Sequence, residues 1–237
     1  MKALLIGHGK MGQMIEQFAP ENGVTISTII ERSDLLTPDL LSGIDVVIDF
    51  SGPDGILSRI ETALLAHVPM CIGTTDWQEL KDAAKKLVQK YDGALIVSSN
   101  FSLGFALFSQ LVKTAAALFS KLENYDVSVS ERHHREKKDH PSGTAKELAQ
   151  TILASMPRKK KVVSDLQPGA IEKESLHIAS DRVGYFAGEH QVIFDGPDGT
   201  ITLSHSSRNR HNFATGALTA AKWIIGKKGY FTVEDLL

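Results

Sequence analysis

A single cysteine, Cys71, stands in 237 residues. It excludes a disulfide within the chain and any cysteine-rich zinc module, and it fits a reducing compartment. Long apolar runs are missing: nothing approaches the ~18 residues that a membrane span needs. The first apolar stretch, residues 3–6, ends in a glycine turn and makes no signal peptide. Charge of one sign is missing too. The 26 basic residues face 28 acidic ones, a balance that argues against general nucleic-acid binding. What is present, 42% hydrophobic and 23% charged residues, is ordinary for a soluble globular protein of one large domain or two modest ones. The expectation is a cytoplasmic enzyme or binding protein, and motifs must say which.

Strand-like runs alternate with helical patterns through the first hundred residues. Residues 3–6, 24–30, 46–50, 70–72 and 94–97 read as strands, and 11–18, 56–66 and 77–90 repeat at helical spacing. Such alternation predicts a parallel sheet covered by helices. After Gly104 the pattern changes. Residues 105–122 read as an apolar helix, 126–130 as a strand, and 141–154 as a helix with Pro141 in its first turn. Residues 157–169 read as a loop whose basic run, 158–161, is solvated. Residues 174–181, 188–194 and 200–206 read as an antiparallel set, and 212–225 as a last helix. The expected class is α/β. A Rossmann-like parallel-sheet nucleotide-binding domain (1–103 and 208–237) carries an inserted α+β substrate-binding and oligomerisation domain (104–207).

Gly7-x-Gly9-x-x-Gly12 lies between a predicted strand and a predicted helix. The first glycine permits the tight turn, the second the approach of a pyrophosphate, and the third close helix–strand packing. Lys10 and Met11 open the helix, whose N-terminus favours phosphate. Glu31 ends the second strand, 19 residues after Gly12, where an acid accepts hydrogen bonds from an adenosine ribose. Arg32 follows it and suits the 2′-phosphate of NADPH. Both are present, so NADH and NADPH stay open. A ligand-free tight turn and a solvated Arg32 are the bland alternatives.

The densest chemistry is Glu131-Arg132-His133-His134-Arg135-Glu136-Lys137-Lys138-Asp139-His140-Pro141-Ser142-Gly143-Thr144. It runs from a strand end to a helix start. Ser142, Gly143 and Thr144 offer amides and hydroxyls to an anion there, and Lys137 adds a full charge. His133 or His134 can donate a proton near neutral pH. A solvated charge run is one alternative. A metal site of histidines with Glu131, Asp139 and His140 is another, weakened by repulsion from Arg132, Arg135, Lys137 and Lys138. No metal is expected.

The string HHREKKDHPSGTA resembles the signature of the dihydrodipicolinate reductase family, now called 4-hydroxy-tetrahydrodipicolinate reductase. The resemblance runs through nearly the whole chain. GHGKMG is similar to its nucleotide loop, Gly73-Thr74-Thr75 to its segment near the nicotinamide, and Ser99-Asn100-Phe101 to its hinge. Arg182 with Gly188-Glu189-His190 resembles its substrate-domain strand motif, and Ser206-Ser207-Arg208 with Phe213-Ala214-x-Gly216-Ala217 the start of its last helix.

The resemblance implies reduction of a cyclic imine dicarboxylate by NADH or NADPH in lysine and diaminopimelate biosynthesis, by a homotetramer with no nucleic-acid or membrane partner. By carry-over His133 is the acid and Lys137 holds a substrate carboxylate, with His134, Gly143 and Thr144 joining the site. Closure on substrate is implied, hinged near residues 100–104 and Arg208. Two positions depart from the family's pattern. His140 stands where alanine is common. Asp76 stands where glycine is often found, and reads as a helix N-cap. A catalytically silent dinucleotide sensor of the same fold is the competing function.

Overall fold

The computed structural model describes every residue except Leu166, Gln167 and Arg210, so part of the expected 157–169 loop lies outside the described residues. In chain order the strands are β1 (Lys2–Ile6), β2 (Thr25–Ile30), β3 (Val46–Asp49), β4 (Met70–Ile72), β5 (Ala94–Val97), β6 (Asp126–His133), β7 (Lys161–Val163), β8 (Ser175–Arg182), β9 (Glu189–Gly196), β10 (Gly199–Ser206) and β11 (Gly229–Thr232). The helices are α1 (Lys10–Phe18), α2 (Ile56–Leu65), α3 (Lys81–Tyr91), α4 (Leu103–Phe119), α5 (Gly143–Ser155) and α6 (His211–Trp223). Two compact units result, Met1–Leu103 with His211–Leu237, and Gly104–Arg210.

The first unit is a parallel sheet in the order β11-β5-β4-β3-β1-β2. Its central strands are buried on both faces, so they read as unbroken apolar runs rather than alternating ones. Leu4, Ile6, Val47, Met70, Ile72 and Leu95 pack with Ile56, Ile60 and Leu64 of α2 and with Ala84 and Val88 of α3. Each of these side chains other than Ala84 contributes roughly 1.5–3 kcal/mol on burial. Cys71 is buried, and its thiol donates to the Ala217 carbonyl of α6 at 3.6 Å. Helix α6 buries Ala214, Gly216, Ala217, Ala220 and Ala221, small residues that let it approach closely. A Cβ on Gly216 would stand 1.8 Å from the Phe101 carbonyl oxygen. Strand β11 is a finding beyond the sequence reading. It is four half-buried residues whose only reason to extend is the edge of β5.

The second unit is a five-stranded sheet in the order β10-β9-β6-β8-β7. The expected antiparallel set is corrected: β9 pairs antiparallel with β10 and β6, but β8 runs parallel to β6 and to β7. The crossover from β6 passes through α5, whose Ala145, Leu148, Ala149 and Ile152 share one core with Val129, Ile178 and Val192 of the strands. Parallel strands need such a crossover connection, usually a helix. Strands β8 and β9 then flank β6, and residues 183–188 arch over its end. There Val183 donates to the His133 carbonyl and His134 to that of Phe186, both at 2.9 Å.

The basic run 158–161 is not a solvated loop. Arg158 donates to the carbonyls of Phe119, Ser120 and Tyr125 at 3.1, 2.8 and 2.6 Å, closing the end of α4. Lys159 is buried, with Nζ 2.8 and 2.7 Å from the Lys173 and Ser175 carbonyls. Only Lys160 and Lys161 face outward, and Lys161 opens the edge strand β7.

Candidate active site

All strands of the first unit point the same way, so the loops after their carboxyl ends gather at one end of the sheet. Gly7 donates to Ile30 O, Phe50 to Ile6 O, Gly73 to Asp49 O and Ser98 to Ile72 O, at 2.9–3.1 Å. This stitching brings together Gly7–Gly12, Glu31, Arg32, Gly73–Thr75 and the segment through Phe101. Gly7 takes φ +87°, and a Cβ on it would lie 2.6 Å from Ser51 Cα. On Gly12 a Cβ would strike Gly7 O at 2.0 Å, while in front of Gly9 there is open space. Gly9 is the N-cap of α1 and carries no side chain into that space, so the cradle fits a pyrophosphate against the helix amides.

Lys10 and Glu31 are exposed, and Met11 is half-buried. Arg32 pairs with Asp54 and lies across Gly52. Thr74 is buried and its hydroxyl donates to Asp49 Oδ1 at 3.2 Å, whereas Thr75 and Ser99 are exposed. Asn100 shapes its own segment: its Oδ1 accepts from the Ser102 amide at 2.9 Å. Phe101 is a core side chain, 6.0 Å from Phe50 between ring centroids, so only its backbone can serve a ligand. Asp76 does not cap the following helical turn. It takes φ +64°, the left-handed conformation glycine prefers, and Trp77 holds the cap position.

Sequence reasoning missed the support under this edge. Asp49 is fully buried and accepts from the Ser51 amide and hydroxyl, Thr74 and Arg59. Arg59 also donates to the Asp54 and Gly52 carbonyls, fixing the β3–α2 loop on which Arg32 rests. The signal was present: Ile56, Arg59, Ile60 and Ala63 share one helical face, and Arg59 is its only charge.

In the second unit β6 alternates, placing Val127, Val129, Glu131 and His133 inward. Glu131 is 1% exposed and His133 is 7% exposed. Glu131 Oε1 accepts from Ser142 N at 3.0 Å, Ser180 Oγ at 2.8 Å and Arg182 at 2.9 Å. Its Oε2 lies 3.4 Å from His133 Nε2 and 3.6 Å from His190 Nε2, and those nitrogens are 3.4 Å apart. Burial pushes the Glu131 carboxyl up, but the nearby His133 and His190 rings, with donation from Ser142 and Arg182, outweigh it and hold the group well below the usual carboxylate range. Burial pushes His190 down, against the raising effect of Glu131.

Ser142 is the N-cap of α5, accepting from Ala145 N at 3.1 Å, and it is buried. Its amide serves Glu131, so of the three expected anion donors Gly143 and Thr144 present theirs at the helix start. Pro141 precedes the cap instead of entering the first turn, because Ser142 supplies the capping oxygen. Lys137 is 22% exposed in its side chain and donates to Asp139 at 2.8 Å, which holds the Asp139 carboxyl below its usual range. His134 is half-buried; His140 is exposed. Glu131, His133 and His190 each offer an atom within 4.8 Å of the others, a spacing a metal could use. Arg182 already supplies positive charge to that carboxylate, and the cluster is coherent as a hydrogen-bonded one.

Comparisons with known proteins agree along the whole chain. The family patterns described as "Dihydrodipicolinate reductase, N-terminus" and "Dihydrodipicolinate reductase, C-terminus" match residues 1–101 and 104–237. A 4-hydroxy-tetrahydrodipicolinate reductase of Christiangramia forsetii is 35% identical over 238 residues, covering 100% of this chain and 98% of that one. One from Caldanaerobacter subterraneus is 36% identical, covering 97% and 95%. A dipicolinate-bound dihydrodipicolinate reductase from Paenisporosarcina sp. TG-14 superposes with a TM-score of 0.82 at 25% identity, covering 100% and 99%. An amine dehydrogenase from Mycobacterium smegmatis shares the fold at TM-score 0.63 and 12% identity, covering 99% and 95%. Among the described residues no helix is long and apolar enough to cross a membrane.

Proposed function

The chain belongs to the dihydrodipicolinate reductase family, and on that premise we propose that His133 supplies the proton and Lys137 the carboxylate anchor for reduction of 4-hydroxy-tetrahydrodipicolinate, by way of dihydrodipicolinate, to tetrahydrodipicolinate. It is an oxidoreductase of lysine and diaminopimelate biosynthesis that uses a nicotinamide dinucleotide. The relatives named above carry a reductase's name, and none of them favours the silent-sensor reading.

The glycine cradle, with Glu31, Arg32, Gly73, Thr74, Thr75 and the Ser99–Asn100–Phe101 backbone around the same sheet end, would hold the dinucleotide. When bound, it supplies the hydride. Hydride addition to a conjugated imine leaves carbanion character that a proton must quench. A histidine serves that need near neutral pH, and His133 has a buried carboxylate behind it to carry the charge. Lys137 and the Gly143 and Thr144 amides neutralise a carboxylate, for which Asp139 must yield the ammonium. His134 completes the wall. No metal is needed: the reaction asks for hydride, proton and fixed positive charge, all of which are supplied. Chelator treatment should leave turnover unchanged.

The observation that carries the reading is His133 backed by buried Glu131, four residues before Lys137 and beside the start of α5. Replacing His133 with alanine should lower kcat by about 100-fold or more while dinucleotide binding persists. Near-normal turnover in that variant overturns the assignment. For assembly we propose a homotetramer. The edge strand β10 leaves Ile201 48% exposed, and Leu107, Leu111 and Leu118 lie exposed on α4. Light scattering giving a monomer would refute it.

A further inference from the structure

We propose that Glu131 is the positioning residue of His133, one carboxylate oxygen being clamped by the protein and the other offered to the imidazole. This inference rests on the reading of His133 as the acid. The two oxygens of Glu131 are treated differently. Oε1 has three donors from three elements: the Ser142 amide at the start of α5, and the Ser180 hydroxyl and Arg182 guanidinium of β8. Among the described residues Oε2 has no aligned hydrogen-bond partner, yet it faces His133 Nε2 at 3.4 Å and His190 Nε2 at 3.6 Å. A carboxylate needed only to cap α5 or pair with Arg182 would not have to lie beneath two imidazoles.

The fold enforces the contact. Glu131 and His133 are two apart on β6, so both point inward. His190 arrives from β9 directly opposite Glu131, and Arg182 from β8 directly opposite His133. Gly188, with φ +154°, lets the arch close over His133: a Cβ there would be 3.0 Å from His133 Cε1. The His133 ring is thereby held between the carboxylate below and backbone above.

The chemical consequence is a fixed tautomer. Oε2 favours a proton on His133 Nε2, the nitrogen that faces it. The other charged groups around the ring are Arg182 of β8, His190 of β9, and Lys137 with Asp139 of the loop before α5. Arg182 serves Glu131 directly, Lys137 is occupied by Asp139, and burial keeps His190 toward neutrality. The buried negative charge closest to His133 is therefore Glu131, and it acts through His133 without touching substrate.

The test is Glu131→Gln, which keeps the side chain's shape and an oxygen for the three clamping donors but removes the charge. We expect kcat to fall at least about tenfold with KM for the imine dicarboxylate within about twofold. The kcat–pH profile should differ from that of wild type. Glu131→Asp should recover part of both effects. The wild-type 15N spectrum should show His133 as the Nε2–H tautomer, a measurement that needs no variant to fold. A fall in kcat with an unchanged pH profile makes Glu131 structural only, and an Nδ1–H tautomer overturns the proposal outright. If His133→Ala turns over normally, the acid assignment fails instead, while the wild-type tautomer still reports the Glu131–His133 contact.

Discussion

Arg59 donates through Nε to Asp49 Oδ2 at 2.8 Å, with both side chains shut away from water beneath the nucleotide end of the first sheet. Two buried charges so placed are worth little as a pair over an apolar substitute, but stranding one is expensive. Arg59→Ala should therefore destabilise the first unit by about 3–5 kcal/mol. Denaturant unfolding followed by tryptophan fluorescence reads it, since Trp77 and Trp223 both lie in this unit. Asp49→Asn with Arg59→Met should recover most of the loss. A single variant as stable as wild type would show that the pair is not buried in solution.

How much of this was legible beforehand depended on whether the signal was local. The first five strands and Gly7-x-Gly9-x-x-Gly12 were readable because buried parallel strands and a tight turn each impose their own residue pattern. Lys159 was not. A lysine in a run of four basic residues carries no local mark of burial, and its carbonyl partners at Lys173 and Ser175 come from a separate stretch of chain. The parallel placement of β8 was hidden similarly, since alternation fixes which face a residue takes but not which neighbour its strand pairs with. His133 stood out in the sequence, but Glu131 entered only as a ligand of the disfavoured metal alternative, because the clamping of its Oε1 needs α5 and β8 to arrive first.

Arg32, just after the carboxyl end of β2, is paired with Asp54, and both side chains are largely exposed. A 2′-phosphate must compete with that carboxylate for the guanidinium, whereas a ribose held by Glu31 need not. Asp54→Asn should lower KM for NADPH several-fold and leave KM for NADH near its starting value. The ratio of the two KM values is the measurement, and an unchanged ratio would remove Arg32 from 2′-phosphate recognition.

Lys159 ties the loop before β8 to the start of β6, donating to two carbonyls and pairing with Asp126. Lys159→Met fills the same stem volume but leaves the buried acceptors unpaired, which costs about 1–3 kcal/mol. Lys160→Met removes only an exposed pair with Glu174 and should shift stability by no more than about 0.5 kcal/mol. Thermal unfolding by far-ultraviolet circular dichroism compares the two. Equal effects would mean that the basic run is solvated after all.

The second unit should weaken as pH falls, in two stages. His190 and His205 are both pushed down by burial, His205 further by His190 beside it. For a histidine whose folded-state value is depressed, the unfolded chain binds more protons. The contribution is then fully present above about pH 6.5 and is lost as pH drops through the folded value. Glu131, held low despite burial, has the same sign further down, losing its contribution from about pH 4.3 as pH falls. His205 isolates the first stage, because its ring stacks on Phe108 at 5.7 Å and its Nδ1 has no hydrogen-bond partner among the described residues. His205→Phe keeps the stacking area and removes the titrating group. Urea midpoints measured from pH 8 to pH 5 should fall less steeply in this variant than in wild type. Parallel curves would show that His205 takes up its proton equally in the folded and unfolded chain, and would leave His190 as the source of the slope.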